Sequence, residues 1–311
     1  MGAFLYLRKE QLPKRRYRQR KDCSGGYMSL VTMKYFLEKA RKNKCAVGAF
    51  NFFGLENLRG IIKAASSKKS PVIAMASMGA LKVMGLDVVV SAARALSQEY
   101  ETDIVLHLDH CTDMDLLFMC IDHGFTSVMI DASDKDYDEN VRLTRLAVDY
   151  AAKTGCSVEA ELGHVGGVED NIVVSEREAL FTVPEDAEKF VNDTNIDALA
   201  VSVGTVHGFY KLPPKLDFER ITAIHTRTAI PLVLHGGTGV SDEDFKKAIG
   251  LGILKINVGT ELKVHGYFDV MKNTSLAVKD SDPRKVSTAI VDACASIVST
   301  KIEVFGSRGI L

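Results

Sequence analysis

The sequence predicts a single-domain α/β protein, a (β/α)8 TIM barrel with an additional helix at the N-terminus and further helices at the C-terminus. Three observations carry this. Short, nearly continuous apolar runs recur from Ala46 to Gly259, each preceded by an amphipathic helical pattern. Strands of that kind alternating with helices specify a parallel sheet covered on its outer face, and eight units suit a closed barrel better than an open sheet. Polar residues collect at the carboxyl ends of the runs, which a barrel gathers on one face. No GxGxxG follows the first run, which argues against a dinucleotide-binding sheet.

Taken in order, helix Leu30–Asn43 precedes Ala46–Asn51, helix Glu56–Ser67 precedes Pro71–Ser77, and helix Asp87–Tyr100 precedes Asp103–His110. Met114–His123 leads to Ser127–Ser133, and Asp138–Thr154 to Ser157–Gly163. After an insertion, Pro184–Thr194 leads to Ala198–Gly204, Phe218–Arg227 to Pro231–Gly237, and Asp242–Gly250 to Ile253–Gly259. Val264–Lys285 carries the last barrel helix and a charged loop, and Val286–Ser299 forms a terminal helix.

The chain has 311 residues, 46% hydrophobic and 25% charged, within the range of one globular domain. A formal net charge of −1 argues against a nucleic-acid footprint. No apolar run reaches the ~20 residues of a membrane span. Cys23, Cys45, Cys111, Cys120, Cys156 and Cys294 are scattered without a CxxC, the usage of reduced thiols in a cytoplasmic protein. Residues 1–27 differ: RKEQLPKRRYRQRK is strongly basic and aperiodic, so they read as a disordered extension ahead of a barrel spanning 28–311.

The chemistry starts at Leu106–Cys111, LHLDHC. Strand alternation sets His107 and Asp109 on one face, with His110 where the strand ends. A carboxylate and imidazoles are costly in a core unless paired or bound to metal. His207 in SVGTVHGFYK and His235 in PLVLHGGTGV repeat the signature at two other strand ends. Three imidazoles with an open position make the catalytic zinc arrangement, so His110, His207 and His235 are the expected ligands of Zn2+. Asp109 is the expected general acid/base, with orientation of a ligand imidazole as its alternative role. Asp131 and Glu161 are expected to support the ligands, and Glu161 is also a candidate for a second cation. His107 fits a supporting role, His164 a loop group, and His123, His225 and His265 the surface.

Asn51 and Ser77 add to the polar rim. Three glycine-rich turns, Gly204–Gly208, Gly236–Gly239 and Asn257–Thr260, let backbone N–H groups approach an anion. Turns after the seventh and eighth strands often bind phosphate on this fold. A phosphorylated substrate is therefore expected, with Lys211 and Arg284 supplying charge. Gly163–Asn171 reads either as a loop that brings Glu169 in as a base or as an ordinary surface loop.

The motifs HLDHC, SVMIDAS, SVEAELGHVGGVED, SVGTVHGFYK, PLVLHGGTGV and KINVGTELK resemble, in this order, those of the class II zinc-dependent ketose-bisphosphate aldolases, tagatose/fructose branch. The resemblance runs from Met28 to Gly306. It implies cleavage of a ketose 1,6-bisphosphate to dihydroxyacetone phosphate and glyceraldehyde 3-phosphate, as in glycolysis and related carbohydrate metabolism. It assigns zinc to His110, His207 and His235, and proton exchange at the C4 oxygen to Asp109. By the same resemblance Gly208, Gly236, Gly237, Thr238, Asn257, Val258, Gly259 and Thr260 cradle one phosphate beside a monovalent cation, Na+ or K+. Glu169 then handles the C3 proton, Arg284 reaches the other phosphate, and the protein is a homo-oligomer, dimer or tetramer.

Two stretches depart from the family pattern: Asp134–Tyr137, where relatives carry a histidine pair, and Phe52–Gly54, where polar residues are common. Gly259 sits where fructose-type relatives carry Asp or Asn and tagatose-type relatives Ala, which leans toward tagatose; HGGTG is fructose-type wording. Activity on both epimers is expected, because a site lacking a specific hydrogen bond discriminates weakly. The resemblance to the tagatose branch also implies a non-catalytic partner subunit for full activity, and the rival readings are an aldolase for another phosphorylated ketose and a non-catalytic barrel that stabilises a partner aldolase subunit.

Overall fold

The computed structural model describes residues 30–163, 165–169, 172–174, 181–208, 214–277 and 282–311, without side chains at 166–169, 172–174, 207 and 275–277. The basic extension lies outside the described residues. Eight parallel strands form a closed barrel: β1 (Val47–Asn51), β2 (Val72–Ser77), β3 (Val105–Cys111), β4 (Ser127–Ile130), β5 (Ser157–Leu162), β6 (Ala198–Val201), β7 (Leu232–Leu234) and β8 (Ile253–Val258). Each pairs with its neighbours in sequence, and β8 closes on β1 through Ala49 beside Asn257. The (β/α)8 TIM barrel read from the sequence is the fold.

Strand parity divides the core in two. Leu106, Leu108, Val128, Ile130, Leu232, Leu234, Ile256 and Val258 face the helical shell. Ala49, Met75, Val105, Met129, Ala200 and Val233 face inward and pack on Met33, Phe36, Leu37 and Ala40 of α1 (Met33–Asn43). The N-terminal helix thus plugs one end with apolar side chains. It leaves the polar strand ends to the other.

The shell helices start where short polar side chains accept the first free amide protons. Asp113 caps α5 (Met114–His123), Asp136 caps α6 (Tyr137–Ala151), and Ser241 caps α9 (Asp242–Gly250). Helices α2 (Leu55–Lys68), α7 (Pro184–Thr194) and α8 (Phe218–Thr228) complete the regular pattern, α7 entering on a proline at its first turn.

Three features depart from the expected elements. Between β2 and β3 stand two helices, α3 (Met78–Met84) and α4 (Leu86–Glu99), parted by Gly85 at φ 83°. After β8, α10 (Thr260–Lys263) runs through a π-turn at Val264–Phe268 into α11 (Asp269–Ala277). The last helix, α12 (Pro283–Phe305), exceeds the expected span at both ends. It lies so near α2 that a Cβ on Gly60 would stand 2.7 Å from the Cβ of Cys294.

The insertion after β5 also carries structure. Gly166–Glu169 pairs antiparallel with Ile172–Val174 and parallel with Val206–His207. No helix among the described residues is long and apolar enough to cross a membrane.

Cys45, Cys111, Cys120, Cys156 and Cys294 are buried free thiols. Burial pushes the thiol of Cys45 up to about 11 and that of Cys111 up to about 12. These five are expected to resist alkylation in the native protein at pH 8, because little thiolate forms and reagent cannot enter. Peptide mass spectrometry after labelling checks this; rapid native labelling at Cys111 would contradict the packing around β3.

Candidate active site

The acid–imidazole pair on β3 depends on an irregularity in the strand. Adjacent strand residues point to opposite faces, so Asp109 and His110 cannot both address the barrel end in a regular strand. Pairing with β4 slips between Leu108 and Cys111, and His110 takes φ 44°, the left-handed region uncommon for a residue with a Cβ. This bulge turns the ring of His110 toward the site that Asp109 already faces. Strained backbone of this kind costs on the order of 1–3 kcal/mol and persists where surrounding structure enforces it.

His110 and His235 approach edge to face, with ring centroids 4.6 Å apart. His110 Nδ1 lies 2.7 Å from Asp131 Oδ2, which fixes the ring and commits its other nitrogen to the site. Burial opposes charge on Asp131, but hydrogen bonds from His110 and Ser133 hold its carboxyl well below the usual range.

His235 is fully buried, with Nε2 3.0 Å from Glu159 Oε1 and Nδ1 3.2 Å from Glu161 Oε2. Burial disfavours its protonation, yet bonds to Glu159 and Glu161 outweigh this and raise it to about 9. The backbone N–H of Val165 donates to Glu161 Oε1 at 3.3 Å.

Donor atoms of His110, Glu161 and His235 all lie within 4.8 Å of one another. Two imidazoles and a carboxylate are a donor set that zinc accepts. They therefore fit a zinc ion, with Glu161 placed to donate directly beyond its expected supporting role. The side chain of His207, the third expected ligand, lies outside the described residues. Its backbone is close: a Cβ on Gly236 would stand 2.3 Å from the carbonyl oxygen of Val206, so the chain next to His207 abuts the chain next to His235.

Asp109 is buried and held from both sides. Asn51 Nδ2 donates to Oδ2 at 2.8 Å, and Asn257 Nδ2 reaches Oδ1 at 3.5 Å. Asn51 Oδ1 is buried and has no hydrogen-bond partner among the described residues. It faces Gly259, where a Cβ would stand 2.7 Å away. Gly259→Ala is therefore expected to displace the Asn51 amide from Asp109 and lower turnover by up to about 10²-fold. Steady-state kinetics check this; wild-type rates would show that the amide does not position the acid.

The sequence reading missed two interior charges. Glu159 and Lys255 are both fully buried, and Lys255 Nζ lies 2.8 Å from Glu159 Oε2. Burial raises the cost of charge on Glu159, but the Lys255 ammonium and His235 hold its carboxyl low. Each stands two residues before a predicted site residue, Glu161 and Asn257. A single charge at an inward parity inside an apolar run was the signal. His107 lies in the same interior, Nδ1 2.7 Å from Ser127 Oγ, and burial keeps its imidazole well below the usual pKa.

The remaining residues divide clearly. Gly208 (φ 91°) and the Gly236–Gly237–Thr238 turn stand at the strand ends, and Gly237 N–H donates to Asn257 O at 3.1 Å. Thr260 opens α10. Val258 packs its side chain into the helical shell, so it offers the site only backbone. Ser77 caps α3, its Oγ accepting from Ala80 N–H at 3.3 Å. Arg284 is exposed and chelates Asp282 from the first turn of α12. Glu169 ends the short strand Gly166–Glu169, and its side chain, like all of Lys211 and His164, lies outside the described residues. His123 and His265 pair with surface carboxylates, while His225 is partly buried.

The sequence model described as "Fructose-bisphosphate aldolase class-II" matches residues 31–310. The YdjI aldolase of Escherichia coli K12 is 33% identical, covering 90% of this chain and 99% of its own, with a TM-score of 0.79. A Coccidioides immitis protein named as a candidate fructose-1,6-bisphosphate aldolase is 31% identical over 89% of this chain and 96% of its own, at a TM-score of 0.82. The fructose-bisphosphate aldolase of Campylobacter jejuni, 22% identical over 91% and 97% at 0.78, shares the fold. With this match across the barrel, the chain belongs to the class II fructose-bisphosphate aldolase family and is an aldolase.

Proposed function

We propose that this aldolase cleaves and forms the C3–C4 bond of a ketose 1,6-bisphosphate, fructose or tagatose, interconverting it with dihydroxyacetone phosphate and glyceraldehyde 3-phosphate. The observation that carries the reading is the convergence of His110, His235 and Glu161 beside Asp109. His110, His207 and His235 would hold Zn2+, with Glu161 able to donate as well. When bound, zinc supplies a Lewis acid that draws charge from the substrate's carbonyl and neighbouring hydroxyl oxygens.

The protein's own groups handle the protons and the phosphates. Asp109 removes the C4 hydroxyl proton as the C3–C4 bond breaks and returns it during condensation. Asn51 and Asn257 fix its two oxygens, so the carboxylate meets substrate in one orientation. In condensation, Glu169 takes the C3 proton of dihydroxyacetone phosphate. The turns at Gly208, Gly236–Thr238 and Asn257–Thr260 bind one phosphate through backbone N–H groups beside a monovalent cation, the N–H of Gly237 being spent on holding the turn to Asn257 O, and Arg284 and Lys211 serve the other charges.

The small residue at position 259 supports turnover of both epimers. The protein acts in the cytoplasm as a homo-oligomer, with residues 28–311 as one barrel and the basic arm outside it. An aldol-cleavage assay on both bisphosphates, with and without a chelator, tests the reading. Cleavage of at least one, abolished by the chelator, is expected. Chelator-insensitive cleavage, or none of either sugar with zinc bound, would overturn it.

A further inference from the structure

Beneath the strand-end imidazoles lies a charge that the proposed chemistry leaves unused. Lys255 is completely enclosed in the barrel. Its ammonium donates to Glu159 at 2.8 and 3.1 Å and to Asn257 Oδ1 at 2.8 Å. From there the network parts toward both halves of the site. Glu159 Oε1 lies 3.0 Å from His235 Nε2, and Asn257 Nδ2 reaches Asp109 Oδ1 at 3.5 Å.

The asymmetry of an amide makes this arrangement directional. A carboxamide has an oxygen that only accepts and a nitrogen that only donates. With Oδ1 held by an ammonium, a flip of Asn257 would set its NH2 against the NH3+ of Lys255 and its oxygen against the carboxylate of Asp109. Both contacts would be repulsive. Asp109 therefore receives a donor on Oδ1 because Lys255 dictates which way Asn257 points, while Asn51 serves Oδ2 independently.

We propose that Lys255 is a positioning residue for the aldol reaction: by fixing the polarity of the Asn257 amide it orients the carboxylate of Asp109, and through Glu159 it ties that orientation to the imidazole of His235. This rests on the aldolase reading, with Asp109 as acid/base. A buried ion pair is in itself weak evidence for stability, and an apolar residue of similar length fits such a volume. The amide on the far side of the ammonium gives Lys255 a task that charge balance alone does not.

The test is a double-mutant cycle read in kcat, with KM and bound zinc measured on every protein. Lys255→Met is expected to keep its zinc and change KM by less than about threefold while kcat falls by up to about 10²-fold, the scale of a displaced catalytic group. Lys255→Gln, which retains a donor toward Asn257, is expected to recover part of that loss. In an Asp109→Ala background, Lys255→Met is expected to cost less than about threefold more, because residues acting as one unit are not additive. Multiplicative losses in the double variant, or wild-type kcat in Lys255→Met, would overturn the proposal.

Should Lys255→Met fail to fold, the charge-neutral pair Lys255→Met/Glu159→Gln is compared with Glu159→Gln alone. A further fall in kcat supports positioning, and equal rates overturn it. Unchanged turnover in Asp109→Ala itself would instead bring down the acid/base role of Asp109 on which the inference stands.

Discussion

Asp109→Ala is expected to keep its metal and to lose turnover by roughly 10²–10⁴-fold, the usual worth of a positioned proton donor and acceptor. The carboxylate is buried at the end of β3 and held by two amides, and it lies outside the convergent donor set of His110, Glu161 and His235. Its removal leaves the imidazoles, Glu161 and the glycine turns in place. The loss should therefore fall on kcat, with KM for the bisphosphate changing far less. Zinc content by mass spectrometry, measured with the kinetics, separates the two parts. Loss of both metal and activity would recast Asp109 as a support for the ligands, and retained turnover would remove it from the reaction.

His235→Ala is expected to abolish activity by a different route. The ring is fully buried between Glu159 and Glu161, so the substitution removes a donor and brings two carboxylates face to face without their shared partner. Zinc affinity is expected to fall by more than about 10²-fold, about 2.7 kcal/mol or more. Asp131→Ala, which frees the His110 ring without removing it, should cost about 10–100-fold in affinity. Titration against a chelating indicator ranks the three proteins. A reversed order, with Asp131→Ala weaker than His235→Ala, would mean that His235 is not a ligand.

Much of the fold was legible because apolar period and strand length coincide in this chain. Met114–His123, Pro184–Thr194 and Asp242–Gly250 appear as helices with the expected bounds, since a polar cap or a proline marks each start. The second helix between β2 and β3 was less visible, because MGALKVM is short and only the left-handed glycine after it forces the break. The hairpin after β5 escaped as well: Gly166–Glu169 carries too few apolar residues to show a strand period.

At the site, sequence led to strand ends but not beneath them. His110, Asp131, Glu161, His235, Asn51 and Asp109 could be named because each interrupts an apolar run where a strand gives way to a loop. Glu159 and Lys255 interrupt runs at mid-strand, and only the pairing of distant strands reveals that the two charges meet. The bulge at His110 was invisible for a related reason. Its slip belongs to the register between β3 and β4, which no single strand encodes.

The central claim is that imidazoles from separate strand ends share one metal ion. Anomalous diffraction at the zinc edge from crystals of the zinc-loaded protein tests it most directly. One peak is expected about 2.0–2.1 Å from ring nitrogens of His110, His207 and His235, with Asp109 near but not bound. A peak at any other group of side chains, or none in active protein, would contradict the account.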